Sequence, residues 1–114
     1  MKKRSISIKT RAEIQNLFKK GKIIRMDGFS IFYKHTSLAI SRILVTFPRV
    51  FKGAVNRNRV RRIFKECFRN QSYLFKDNNI DFIFLISPKK SNVNYHEVET
   101  IMKNLVLDIA KREV

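Results

Sequence analysis

Residues 54–69 read AVNRNRVRRIFKECFR, and this stretch decides the fold assignment. Five apolar side chains recur in it at helical spacing: Val60, Ile63, Phe64, Cys67 and Phe68. At 100° per residue they cover an arc of about 140°. Polar and basic residues gather on the other side, within about 100°: Asn58, Arg61, Arg62, Lys65 and Arg69. The stretch therefore predicts a helix with one face in a core and a basic face opposite.

The basic side of this helix is richer in arginine than in lysine. Between residues 57 and 69 there are five arginines, one lysine and a single acid, Glu66. A guanidinium can donate to two phosphate oxygens at once, which an ammonium cannot. An ordinary solvated face usually carries both signs, as pairs four residues apart. The composition therefore favours a nucleic-acid partner, and we expect the guanidinium groups of Arg57 and Arg61 to lie in solvent.

The net charge is concentrated in the first part of the chain. The 114 residues include 25 Lys and Arg against 9 Asp and Glu, for a formal net charge of +16. Residues 1–70 contain 19 basic residues and three acids, which is the whole excess, whereas residues 71–114 contain six of each. Charge of one sign at this density favours a polyanionic partner.

Composition also disfavours several classes of protein. One cysteine cannot form an internal disulfide or a cysteine-only zinc site. No apolar run approaches 18 residues, and the basic start lacks the apolar segment of a secretory signal. His35 and His96 have no metal-ligand spacing with Cys67, and no phosphate loop, serine elbow or paired-carboxylate pattern occurs. We expect one cytoplasmic domain over residues 1–114 with a polyanionic partner, with Cys67 as a packed thiol and no protein metal or catalytic site.

The rest of the sequence predicts two more helices and about four strands. Thr10-Arg11-Ala12-Glu13 is a capping box, which predicts a helix over about 11–20 that Gly21 ends. Strand patterns occur at 23–24, 31–33, 43–47 and 81–86, and the last is apolar enough to be buried on both faces. Asn94 opens a last helix. The order α-β-β-β-α-β-α predicts a two-layer α+β sandwich, with helices packed on a four-stranded sheet.

With these elements in place, the chain resembles the protein subunit of bacterial ribonuclease P. Residues 54–62 look like that family's motif, an Arg-Asn-Arg followed by an aliphatic residue and two bases. The first helix with Phe18, the Lys20-Gly21 stop, the strands at 29–33 and from Asp81, and the closing helix match as well. The resemblance implies a ribosomal-protein-like fold with a left-handed βαβ crossover, although nearly all such crossovers are right-handed.

The resemblance also implies an activity. Proteins of this family bind a large catalytic RNA, and together they remove the 5′ leader from precursor tRNA. The RNA would hold most or all of the catalytic Mg²⁺. This chain would be an accessory subunit of the endoribonuclease, without catalytic side chains of its own, and no protein partner or membrane would be required.

Two sets of site residues are implied. The family's RNA-facing helix matches Arg57, Asn58, Arg59, Arg61, Arg62 and Lys65, and the same basic face adds Arg69. The family's cleft for the single-stranded leader, between the first helix and the sheet, matches Ile14, Phe18, Phe32, Arg49 and Lys52. Phe47 and Pro48 stand where the family usually has a hydroxyl residue and a lysine. From the residues alone, Phe18 fits either the core or a cleft where aromatic rings stack on bases.

Other functions share some of these features. A structural ribosomal protein would have the same charge and an α+β fold, and it would cofractionate with ribosomal subunits without stimulating leader cleavage. A DNA-binding regulator would use residues 55–69 as a recognition helix, but the helix-turn-helix context is missing. A membrane-surface role is least favoured, because the basic helix would bury its apolar face in its own core.

Overall fold

The helix and strand patterns of the sequence correspond to three helices and four strands in the described part of the chain. The computed structural model describes residues 7–8, 10–26, 28–36, 40–51, 53–71, 79–90 and 92–112. Its elements are α1 Arg11–Lys20, β1 Lys22–Met26, β2 Phe29–His35, β3 Arg42–Thr46, α2 Ala54–Asn70, β4 Ile80–Ile86 and α3 Tyr95–Arg112. The predicted α+β class and order of elements are confirmed.

Thr10 and Gly21 set the two ends of α1. The backbone N–H of Glu13 donates to Thr10 Oγ1 at 3.3 Å, and the Thr10 hydroxyl donates to the Glu13 carboxylate at 2.6 Å, which confirms the cap. At the other end, the Gly21 N–H donates to the Leu17 carbonyl at 2.8 Å. A Cβ on Gly21 would lie 2.4 Å from that carbonyl oxygen, so this close approach requires glycine.

The four strands form one mixed sheet in the order β1-β2-β4-β3. Strand β2 is antiparallel to both β1 and β4, whereas β3 runs parallel to β4. Helix α2 therefore joins two parallel neighbours, which makes a βαβ unit as predicted. The hand of the crossover stays an implication of the family resemblance.

Strand β4 is buried on both faces. Phe82 and Phe84 lie in the larger core, which includes the buried side chains of α2 and α3. Ile83 faces the other side, where it packs with Ile8 and with Leu17 of α1. Two helices thus cover one face, as the two-layer prediction requires. Helix α1 adds a partial layer on the opposite face, because β4 leaves apolar surface there as well. We call this side of the sheet the α1 face.

Arg42 ties α1 to the sheet. Its Nε and Nη2 donate to the two carboxylate oxygens of Asp81 on β4, at 3.0 and 2.8 Å, and Nη2 also donates to the Glu13 carboxylate on α1. The side chains of Arg42 and Asp81 are only 12% and 15% exposed, so water screens this pair poorly. The hydrogen bond from Arg42 holds the pKa of Glu13 below its ordinary value of 4.5.

Glu13→Gln is expected to remove a pH-dependent part of the folding stability. Because the pKa of Glu13 is lower in the folded chain, the ionised carboxylate stabilises the fold above about pH 4.5, and this stabilisation is lost as the pH falls through the folded-state pKa. Free energies of unfolding measured from about pH 7 to pH 3 should therefore decline less steeply in the variant. Glu66→Gln makes the same charge change on α2 and is the control. Identical profiles for the two variants would contradict the prediction.

Gly21→Ala should destabilise the chain by about 1–3 kcal/mol, the usual cost of forcing extra atoms into a filled space. The added methyl group would collide with the Leu17 carbonyl oxygen. Chemical denaturation measures the effect. Gln15→Ala, at an exposed position of α1, is the matched control and should stay within about 0.5 kcal/mol of the parent chain. Equal stability of the two variants would show that the backbone relaxes without cost.

Candidate nucleic-acid interface

Helix α2 is buried along one side and exposed along the other. Val60, Phe64, Cys67 and Phe68 are buried, and Ile63 packs against the same core, so the predicted apolar stripe is confirmed. Burial raises the pKa of the Cys67 thiol to about 11. The thiol is therefore protonated at neutral pH and packs as a small apolar side chain, as expected.

The exposed side of α2 carries the basic face, defined as Asn58, Arg61, Arg62, Lys65 and Arg69. Lys65 is half-buried and the other four residues are exposed. Together with Glu66, these side chains line one shallow depression along the helix. Glu66 brings the single negative charge to that depression. A surface so dominated by one sign attracts polyanions and raises their local concentration.

Two arginines beside the basic face are held by the chain itself. Arg57 is half-buried, and its Nη2 donates to the Phe51 carbonyl at 2.9 Å. Arg59 Nη2 donates to the Val93 carbonyl at 3.1 Å and to Asn92 Oδ1 at 3.3 Å. The expectation that the Arg57 guanidinium lies in solvent is therefore wrong, because a backbone carbonyl of the preceding connection reaches it. Arg61 is exposed, as expected.

A second candidate surface lies on the α1 face of the sheet. Phe18 of α1 and Phe32 of β2 meet edge to face, with their ring centroids 4.8 Å apart. Phe18 is 38% exposed, whereas Phe32 is half-buried next to Ile83. Of the two placements that the sequence leaves open for Phe18, its exposure favours the cleft.

The strand register extends this surface along the sheet. In the row after Phe32 lie four side chains, one from each strand: Arg25, Ser30, Leu85 and Thr46. All four are exposed or half-buried. We call the surface formed by this row, Ile23, Phe18 and Phe32 the aromatic cleft. The sequence did not identify Ser30, Leu85 and Thr46 as cleft residues. It shows the alternation of side chains along each strand but not which strands pair.

The other predicted cleft residues lie around this surface. Ile14 is half-buried and packs beneath α1, against the small cluster on the α1 face. Arg49 is exposed in the turn after β3, beyond the Thr46 end of the cleft. Lys52 lies outside the described residues. The structure therefore brings Ile14 and Phe18 of α1 together with Phe32 of the sheet. Arg49 lies beyond one end of the aromatic cleft.

Edge strand β3 lies between the two surfaces. Leu44 packs with the cluster on the α1 face, whereas Val45 lies in the core shared with α2. A groove along this edge is lined by both residues and by Arg61 and Lys65 of α2. The basic face and the aromatic cleft therefore flank one strand, on opposite sides of the sheet.

Acidic and metal-ligating side chains are dispersed in the described part of the chain. Within those residues, no three His, Cys, Asp or Glu side chains form a group that could hold a metal ion. Nor does any of the helices described above have both the length and the apolar character needed to cross a membrane.

Known proteins match the chain along its whole length. The family model for ribonuclease P matches residues 1–110. The ribonuclease P protein component of Borrelia hermsii is 67% identical over 114 residues, which is all of both chains. That of Borreliella burgdorferi strain ZS7 is 48% identical over 109 residues, covering 94% of this chain and 92% of the relative.

Solved structures share the fold. The RNase P protein of Thermotoga maritima, in complex with 1-(4-fluorophenyl)-2-thiourea, aligns with a TM-score of 0.76 at 24% identity, over 87% of this chain and 95% of that one. The RNase P protein of Staphylococcus aureus aligns with a TM-score of 0.75 at 22% identity, over 95% and 97%. The family predicted from the Arg-Asn-Arg helix is confirmed, and the chain belongs to the ribonuclease P protein family.

Proposed function

We propose that this chain is the RNA-binding subunit of a ribonuclease P that removes the 5′ leader from precursor tRNA. It binds the catalytic RNA through the basic face and the single-stranded leader through the aromatic cleft. The observation that carries the proposal is the placement of two chemically different surfaces on either side of β3. Family membership favours this role over that of a structural ribosomal protein.

The basic face suits a folded RNA. Its arginines project from a helix whose opposite side is fixed in the core, so the charges sit on a rigid support. They neutralise phosphates and lower the repulsion between the catalytic RNA and its tRNA substrate. Binding of this kind releases counterions, so the affinity depends strongly on salt.

The aromatic cleft suits a single strand. Unpaired bases stack on aromatic rings, and a basic border follows the phosphates. Phe18 offers a partly exposed ring supported by Phe32, and Arg25 lies in the neighbouring row of the sheet. Because mature tRNA lacks the leader, contacts in this cleft strengthen substrate binding but leave product binding unchanged. The enzyme thereby discriminates between the two.

Neither surface fits a Mg²⁺ site. Proteins bind Mg²⁺ through oxygen ligands, chiefly carboxylates. The basic face is accompanied by a single carboxylate, that of Glu66, and the residues of the aromatic cleft include no acid. We therefore assign the catalytic Mg²⁺ to the RNA partner. What this chain contributes is substrate positioning and charge neutralisation.

Arg62→Ala is expected to weaken binding to the catalytic RNA without unfolding the chain, because the side chain is exposed. With about six phosphates contacted, log K should fall with log[salt] at a slope of about −4 to −5, and the variant's slope should be shallower by about 1. Lys103→Ala, at an exposed position of α3, is the control and should keep the parent slope. A salt-independent affinity of the parent chain would contradict an electrostatic interface.

Phe18→Ala should reduce the preference for precursor over mature tRNA. Stacking of one base on an aromatic ring is worth about 1–3 kcal/mol, so the Kd of precursor tRNA should rise about 5- to 150-fold while that of mature tRNA stays the same. Equilibrium binding to the reconstituted holoenzyme measures both. Leu107→Ala removes another exposed apolar side chain, on α3, and is the control. Equal losses for precursor and mature tRNA would count against the cleft.

A further inference from the structure

The connection between β3 and α2 contains a residue that the proposed function leaves unused. Phe47 follows β3 and is half-buried against the main core. Its ring lies 4.9 Å from that of Phe51, with the two planes inclined at 39°, and Phe51 is buried. The core and Phe51 therefore hold the Phe47 ring in place, and its position does not depend on any partner molecule.

The Phe47 ring also contacts an arginine of the basic face. The guanidinium carbon of Arg61 lies over the Phe47 ring, 5.0 Å from its centroid. Arg61 Nη1 also donates to Asn58 Oδ1, one turn earlier on α2, at 3.2 Å. An exposed side chain is thus held at two points. The same connection holds Arg57, through the Phe51 carbonyl.

Holding an arginine in this way matters for binding a phosphate. A free arginine side chain samples many rotamers, and a partner that binds it must fix one of them at an entropic cost. A guanidinium lying on an aromatic ring uses its face for that contact, so N–H groups at its edge remain available to phosphate oxygens. The ring therefore fixes the group without blocking its donors.

We propose that Phe47 is a positioning residue of the RNA interface, whose ring holds the Arg61 guanidinium in one orientation before the phosphate backbone of the catalytic RNA arrives. This proposal rests on the proposed function, in which the basic face contacts that RNA.

A double-mutant cycle tests the coupling. Phe47→Leu keeps an apolar side chain of similar size and removes the ring. Its effect on the Kd for the catalytic RNA is measured in three backgrounds: the parent chain, Arg61→Ala and Arg62→Ala. We expect Phe47→Leu to raise the Kd by about 2- to 10-fold in the parent and Arg62→Ala backgrounds and to leave it unchanged in the Arg61→Ala background. Phe47→Tyr, which keeps the ring, should bind as the parent does.

The outcomes separate this inference from the proposed function. If Arg61→Ala and Arg62→Ala both leave the Kd unchanged, the basic face does not contact the RNA, and both proposals fall. If both variants weaken binding but Phe47→Leu has the same effect in every background, the proposed function stands and the role of Phe47 is overturned. An Arg61→Ala variant that binds as the parent does, beside a weakened Arg62→Ala, overturns it as well.

A measurement on the free protein needs no RNA, and its first comparison needs no altered side chain. NMR order parameters of the arginine Nε–Hε groups report how restricted each guanidinium is. Arg61 should be more restricted than Arg62, which is exposed on the same face. In Phe47→Leu, the order parameter of Arg61 should fall toward that of Arg62, because only the hydrogen bond to Asn58 then holds the guanidinium. An unchanged Arg61 order parameter in a folded Phe47→Leu would overturn the proposal. Equal order parameters for the two arginines in the parent chain would overturn the proposal even if Phe47→Leu failed to fold.

Discussion

Strand β4 has apolar side chains on both faces, and the need to cover both determines where everything else lies. Phe82 and Phe84 on one side and Ile83 on the other are fully buried. Each such side chain left in water would cost about 1.5–3 kcal/mol. Helices α2 and α3 cover the first side, and α1 with Ile8 covers the second. A chain with one helix layer would leave Ile83 exposed, and it would have no cleft between a helix and the sheet.

The arginines of this chain fall into groups that a count of charge does not distinguish. Arg42 is shielded from water and bound by two carboxylates, so it serves the fold and is not available to a polyanion. Arg57, Arg59 and Arg61 are oriented by carbonyls, amides or a ring, and they remain at or near the surface. Arg62 is exposed. The charge available to a partner is therefore smaller than the formal net charge. Several of the guanidinium groups that carry it are held in place by the chain.

Local patterns in the sequence predicted the structural features that depend on residues close together along the chain. The cap at Thr10, the apolar stripe of α2 and the doubly buried β4 each follow from residues a few positions apart. Features that depend on distant residues could not be predicted in this way. The side of the sheet that α1 occupies and the row from Arg25 to Thr46 both require the strand order, which one sequence does not reveal. The contact between Phe47 and Arg61 requires the position of the connection as well.

Helix α3 carries three basic and three acidic residues, and some of these pair at the surface, as Arg112 does with Asp108. The excess positive charge lies instead in residues 1–70. A polyanion is therefore attracted to the surfaces that the described part of this segment forms, and little to α3. A larger fraction of encounters then begins in a favourable orientation, so the asymmetry raises the association rate independently of the final affinity.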